Sequence, residues 1–218
     1  DHLRKAGFDN VSIDLMFAIH GQPLESWRDT LRSVVELNPN HVSAYNLTYE
    51  EDTAFLRRFE SGHWTQDPDR DAEFFTLAHE TLGEAGFIHY EVSNYALPGQ
   101  RSLHNQAYWA GADYRGFGPS AVSTFGIERW KNVPDTEAYV TQIETLGHAR
   151  ADAERLTEEQ RHLEKLALGL RTEKGVPCEW AEESAANSLH SEGLAEVQSG
   201  RIRLTLEGMM VADEVAGF

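Results

Sequence analysis

Hydrophobic positions recur along this chain with two periods, and each change of period marks an element. The run Val11-Ser12-Ile13-Asp14-Leu15-Met16-Phe17 is mostly apolar around one acid and predicts a buried strand. Over 23–38 the period lengthens: Leu24, Trp27, Leu31, Val34 and Val35 share one helical face, and Pro39 ends it. Residues 42–48 predict the next strand. Strand, helix and strand in this order form the βαβ unit, with parallel pairing and a right-handed crossover.

A short helix is expected over 53–61. Asp67 then caps a longer one, with Pro68 at its first position, Phe74, Ala78, Leu82 and Ala85 turned inward, and Gly86 at its end. Residues 90–93 predict a third strand, completing β-α-β-α-β, half of a barrel or a piece of an open α/β sheet. From 94 to 126 the periodicity gives way to glycines and aromatics, among them Tyr108, Trp109, Tyr114 and Phe117. Loops of that length are functional or disordered, and the aromatic content argues against disorder, so ligand chemistry is expected here.

Beyond this stretch the pattern becomes helices followed by a hairpin. A helix is predicted over 135–146, and Thr157-Glu158-Glu159-Gln160 is a capping box opening a helix with Leu163, Leu166, Ala167 and Leu170 inward. Short helices at 179–186 and 188–195 lead to strands at 196–197 and 201–204, joined by a Ser199-Gly200 turn. A closing helix carries Leu206, Met210, Val211 and Val215 inward, and the whole order resembles a winged-helix unit.

Composition narrows the possibilities. The 218 residues are 40% hydrophobic and 25% charged, a globular balance that suits one large domain or a domain with an appendage. No stretch reaches the roughly 20 apolar residues of a membrane span, and no basic-then-apolar leader opens the chain, so neither a transmembrane segment nor export is expected. The single cysteine, Cys178, excludes an internal disulfide or a cysteine-built cluster within these residues and agrees with a reducing cytoplasm. Thirty-six acidic residues against nineteen basic ones give a charge of −17, which repels phosphate backbones; nucleic-acid binding is not expected. The winged-helix-like end is read as structural, since its hairpin offers only Arg201 and Arg203. The opening at Asp1, followed almost at once by an apolar strand, is read as the start of a truncated chain.

Few residues suggest chemistry. Asp14 inside an apolar strand needs either a basic partner on a neighbouring strand or a ligand near the strand's end. In His104-Asn105-Gln106-Ala107-Tyr108-Trp109 the imidazole suits heme iron, the aromatics suit a macrocycle face, and Asn105 suits the imidazole or a propionate. The other reading of His104 is a packed loop residue. Gly116-Phe117-Gly118-Pro119-Ser120 fits a tight turn near a bound group but lacks the spacing of a phosphate-cradling motif. His20, His41, His63, His79 and His89 are scattered without an HExxH arrangement, and Ser43, Ser120 and Ser123 sit in no nucleophile elbow.

Residues 10–17, 41–48 and 90–96 together resemble the fourth, fifth and sixth barrel strands of the oxygen-independent coproporphyrinogen oxidase-like family of radical S-adenosylmethionine (SAM) proteins. His104 to Trp109 matches the HNxxYW motif of that family's heme-chaperone branch. Arg129-Trp130-Lys131-Asn132-Val133 and Leu168-Gly169-Leu170-Arg171-Thr172, with Gly175-Val176, extend the resemblance over nearly the whole chain. It implies an α/β fold, the C-terminal half of a partial (β/α)6 radical SAM barrel over 1–98. An aromatic, glycine-rich porphyrin-proximal loop would follow over 99–133, then a helical, winged-helix-like C-terminal domain over 134–218.

In full-length members a CxxxCxxC loop in the other barrel half holds a 4Fe-4S cluster and S-adenosylmethionine, so this piece alone is expected to perform no radical chemistry. The resemblance further implies a cytoplasmic chaperone that binds heme and passes it to an acceptor protein. His104 would then be the iron ligand, Asn105, Tyr108 and Trp109 further heme contacts, and Asp14 and Thr48 contacts to S-adenosylmethionine. The alternatives are a coproporphyrinogen III dehydrogenase using the same cluster and cofactor, and a scaffold that has lost both activities. HNxxYW favours the chaperone, because it supplies an iron ligand that metal-free coproporphyrinogen does not need. The sequence departs from the family at His20, in place of the proline of a GLPGQ-like turn, and at Ser120 and Val122, in place of a glycine and a histidine. Strand 11–17 is expected to carry an unpaired edge that favours association.

Overall fold

The computed structural model describes residues 2–48, 53–62, 64 and 67–217; His63, one of the scattered histidines, lies outside them. A short helix α1 (His2–Lys5) precedes β1 (Ser12–Phe17), α2 (Leu24–Glu36) and β2 (His41–Asn46), and β1 and β2 pair in parallel as the βαβ pattern requires. Helix α3 (Ala54–Glu60) follows, then α4 (Pro68–Glu84), with Asp67 accepting from the Arg70 amide at its N-cap.

The predicted third parallel strand is corrected. β3 (Ile88–Glu91) turns back through Val92 and Ser93 into β4 (Asn94–Ala96), and β4 inserts antiparallel between β2 and β3, giving the order β1-β2-β4-β3. The Ser93 carbonyl accepts from the Ala44 amide at 2.8 Å, which locks this tight turn to β2. β1 lies at the sheet edge among the described residues.

One face of this sheet carries the core. Phe17, Val42, Ala44 and Tyr95 pack under Trp27, Leu31 and Val34 of α2 and Phe74, Ala78 and Leu82 of α4, all buried. Trp27 stacks at a tilt 5.5 Å from Phe17, and its Nε1 donates to the Phe74 carbonyl at 3.0 Å, so a single indole both fills the core and ties α2 to α4. The opposite face is covered at His41 and Ser43 of β2 and at Asn94 and Ala96 of β4, all buried, and is open along β1 and the end of β2. Ser12, Asp14 and Met16 of β1 and Tyr45 of β2 are exposed there, so Asp14 is not enclosed by an apolar strand as the sequence suggested. The 11–17 run alternates, and its acid falls on the solvent side.

The stretch from 94 to 126 is not a structureless loop. Besides β4 it contains α5 (Leu103–Trp109) and β5 (Val122–Phe125), which pairs with β6 (Glu128–Asn132). Helix α6 (Thr136–Leu146) then leads to β7 (Arg150–Arg155), which returns to pair with β6 across a bulge, and α7 (Glu158–Leu170) starts on the foreseen capping box. Arg129 of β6 holds Glu164 of α7 through two bonds of 2.7 and 2.8 Å, joining this small sheet to the helix.

The C-terminal unit has the winged order: β8 (Val176–Pro177), a 3₁₀ turn Cys178–Trp180, α8 (Glu183–Ser191), β9 (Ala195–Gln198), β10 (Arg201–Leu204), α9 (Leu206–Met210) and α10 (Ala212–Val215). The two helices expected over 179–195 are one helix behind a 3₁₀ turn, and the closing helix breaks at Val211. Ser199 and Gly200, at φ 53° and 74°, make the primed turn that the right-handed twist of a hairpin favours.

Candidate functional site

Helix α5 lies between the two parts of the chain. Ser102 caps it by accepting from the Asn105 amide at 3.2 Å, and its residues divide by helical spacing into two stripes. His104 and Tyr108, four apart, are exposed and meet edge to face at 4.8 Å; Tyr114 continues the row, 4.7 Å from Tyr108. No residue described hydrogen-bonds the His104 imidazole. Leu103, also on α5, and Phe117, in the glycine-rich segment, are 81% and 82% exposed.

Asn105 and Trp109 form the second stripe, half-buried against β3. Asn105 lies beside the Tyr90 hydroxyl and Trp109 beside the Glu91 carboxyl, each favouring the charged form of its neighbour. Consecutive strand residues normally point to opposite faces; here the register shift between His89 and Glu91 makes Tyr90 an extra residue, and both reach α5. The Tyr90 hydroxyl also accepts from the Ser102 amide at 3.3 Å and meets His41 Nε2 at 2.8 Å, while His41 Nδ1 meets Ser12 Oγ at 2.9 Å. A chain of polar contacts thus runs from β1 through β2 and β3 to α5.

Burial sets the protonation of this chain. Glu91 is fully buried, and desolvation raises its carboxyl from the usual 4.5 to about 7 against the bonds from the Ser93 amide and Trp109. Asn94 also donates to it. The Tyr90 phenol is raised and the His41 imidazole lowered, each chiefly by burial, with the nearby Asp14 carboxylate opposing the fall at His41.

The sequence-predicted residues therefore separate. Asp14 lies on the open sheet face beside His41, Thr48 is exposed just past β2, and the polar chain through His41 and Tyr90 connects this face to α5. Only His104 and Tyr108 of the HNxxYW motif are exposed on the outer stripe. No cluster of three or more His, Cys, Asp or Glu side chains suited to a metal exists among the described residues, so an ion held here would need ligation by a single imidazole or from outside.

Sequence reasoning missed Tyr90, Glu91 and His41. Glu91 lay in a predicted strand, and an acid within a strand is the same signal that singled out Asp14. The Gly116 segment makes its close approach to its own sheet rather than to open space: a Cβ at Gly116 would lie 2.3 Å from the Val122 carbonyl oxygen. His20 stacks on Trp64 at 5.4 Å, so the turn after β1 is packed by a ring.

A sheet covered by helices on one face, bare along its edge strand on the other, is followed by an aromatic helix and a winged unit, and this order is that of a solved radical SAM fold. Coproporphyrinogen III oxidase (HemN) from Escherichia coli, a radical SAM enzyme, superposes with a TM-score of 0.78 at 20% identity, covering 99% of this chain and 56% of that one. No family model matches. The protein named heme chaperone HemW of Mycobacterium tuberculosis H37Rv is 36% identical over 217 residues, 96% of this chain and 55% of that protein. HemW of Bacillus subtilis is 31% identical over 229 residues, 100% of this chain and 60% of its own. A zebrafish mitochondrial protein, radical S-adenosyl methionine domain-containing protein 1, is 32% identical over 235 residues, 97% and 53%. The chain is thus similar to HemW-like proteins along nearly its whole length and spans between half and two thirds of these curated relatives' length.

Proposed function

We propose that this chain is the heme-holding portion of a heme chaperone built on a radical SAM scaffold, which binds heme and transfers it to an acceptor protein in the cytoplasm. One observation carries the reading: the exposed His104 imidazole, free of hydrogen-bond partners among the described residues, stands edge-on to Tyr108 in an aromatic row. An uncommitted imidazole is an axial ligand for heme iron, and exposed rings beside it suit a porphyrin face. The residues present fit the group.

In this reading His104 ligates the iron and Tyr108 contacts the macrocycle. Asn105 and Trp109 act as positioning residues, since they are half-buried beside Tyr90 and Glu91. In the full-length protein a 4Fe-4S cluster with S-adenosylmethionine would supply radical or redox chemistry, and Asp14 and Thr48 on the open side are this chain's residues for holding that cofactor.

Heme titration of the full-length protein tests the division of roles. His104→Ala should shift the Soret band and weaken binding about tenfold or more, the loss of one good ligand bond. Trp109→Phe should weaken binding while leaving the Soret position of the bound form unchanged. Unaltered spectrum and affinity in His104→Ala would overturn the proposal.

A further inference from the structure

Behind α5, on the side away from its exposed stripe, a cavity of about 210 Å³ opens between α5, α7 and the β8–β10 wing. Trp109 and Trp180 form apolar walls, and Arg101, Lys165, Lys174 and Arg201 stand around it. In a chain with a net charge of −17, four cations here face a single lining carboxylate, Glu173.

That carboxylate is spent. Both its oxygens accept from Arg101, one at 2.9 Å. Neither Lys165 nor Lys174 forms an ion pair among the described residues. Arg201 is pinned by neutral groups: its Nε donates to the Lys174 carbonyl and its Nη2 to the Gly175 carbonyl, both at 2.7 Å, which fixes its charge without cancelling it. Cations that merely balanced an acidic surface would pair with carboxylates, as Arg129 does with Glu164. These three line a concave space without a carboxylate of their own, an arrangement that suits an anion.

The floor is backbone drawn tight. A Cβ on Gly169 would come within 2.6 Å of Val176 Cγ1, and one on Gly175 within 1.9 Å of the Ile202 carbonyl oxygen. The segment above it is fastened to β3, with the Glu173 amide on the Tyr90 carbonyl at 3.1 Å and the Val92 amide on the Arg171 carbonyl at 3.0 Å. Such close packing and these bonds hold the cavity's lining in place.

We propose that this cavity binds a small organic anion, a planar apolar body bearing a carboxylate: the ring against the two indoles, the carboxylate toward Lys165, Lys174 and Arg201. Its volume lies below the roughly 300–1,000 Å³ of drug-sized sites, which selects a single-ring acid over a nucleotide or a porphyrin. The site is separate from the exposed stripe of α5 and does not rest on the heme reading.

Fluorine NMR of 4-fluorobenzoate with the full-length protein tests this, with 4-fluorobenzyl alcohol as the neutral counterpart. The acid's signal should broaden and shift saturably below about 10 mM, and the alcohol should bind about tenfold more weakly or worse. The double variant Lys165→Met/Lys174→Met, at two exposed positions, should lose about tenfold in affinity for the acid. Lys131→Met, an exposed lysine on β6, should lose none. Equal binding of acid and alcohol, wild-type affinity in the double variant, or no saturation would overturn the proposal. So would displacement of the probe by inorganic phosphate at equal concentration, since phosphate makes no use of the indoles.

Discussion

Glu91→Gln is the substitution whose outcome follows most directly from the geometry. Glu91 is fully buried, and burial raises its carboxyl from 4.5 to about 7. A carboxyl with a higher pKa in the folded chain than in the unfolded one binds its proton more tightly when folded. Its contribution to stability is therefore complete below pH 4.5 and is lost as pH rises through about 7. For a shift of that size the loss between about pH 5 and about pH 8 is on the order of 2–3 kcal/mol, or roughly 5–10 °C in Tm at this chain length. Glutamine keeps the shape, carries no charge, and can still accept from the Ser93 amide. Rotation of the Asn94 amide would turn its Oδ1, a buried atom with no partner, to accept from the new NH₂. His41, His79 and His89 are lowered by burial and contribute with the opposite sign, their share being lost as pH falls below about 6.5, so the wild-type curve alone mixes two effects. Thermal unfolding of both proteins followed by circular dichroism isolates Glu91 in the difference. The variant should gain on the wild type steadily from about pH 5 to about pH 8. A difference that stays constant across that range would refute the reasoning.

Three other substitutions probe the frame. Phe74→Ala empties a fully buried site between Phe17 and Trp27 and should cost about 3–5 kcal/mol in urea unfolding; a cost under about 1 kcal/mol would contradict the packing. Gly175→Ala puts a Cβ against the Ile202 carbonyl at a φ of 58° and should destabilise by more than about 2 kcal/mol, with amide exchange at β8 and β10 rising first. Ser120 occupies the left-handed region at a φ of 58°, which favours glycine, so Ser120→Gly should stabilise by about 0.5–1 kcal/mol; a loss would show its side chain to be engaged.

The sequence was most legible where one face of an element is buried and its ends are capped. The α2 and α4 stripes, the Asp67 and Thr157 caps and the Ser199-Gly200 turn all stand where periodicity and turn chemistry place them. What escaped it depends on distant partners. β4 is three residues long, too short to show a period, and exists because β2 offers its edge. β7 is exposed along its whole length and reads as polar chain, yet pairs with β6. At the site, the HNxxYW letters were visible but not their division, since which stripe of α5 faces inward is decided by the bulge at Tyr90.

That division gives the buried carboxyl a purpose. An apolar residue at 91 would avoid the desolvation that Glu91 suffers and would hold α5 against the sheet by packing alone. Packing is non-directional, however, and a helix of seven residues resting on an apolar contact can turn about its own axis at little cost. A turn of about 100° moves the exposed face by one residue and would exchange His104 for Asn105. Asn105, beside the Tyr90 hydroxyl, and Trp109, beside the Glu91 carboxyl, lie four residues apart on one half-buried stripe, and such a turn would carry both away from these groups. The bond from the Ser102 amide to the Tyr90 hydroxyl, 3.3 Å at the start of the helix, is directional and would be strained by the same turn, and leaving it unmade costs more than it contributes when made. These polar contacts fix the azimuth of the helix, and the azimuth keeps the His104 imidazole on the outside.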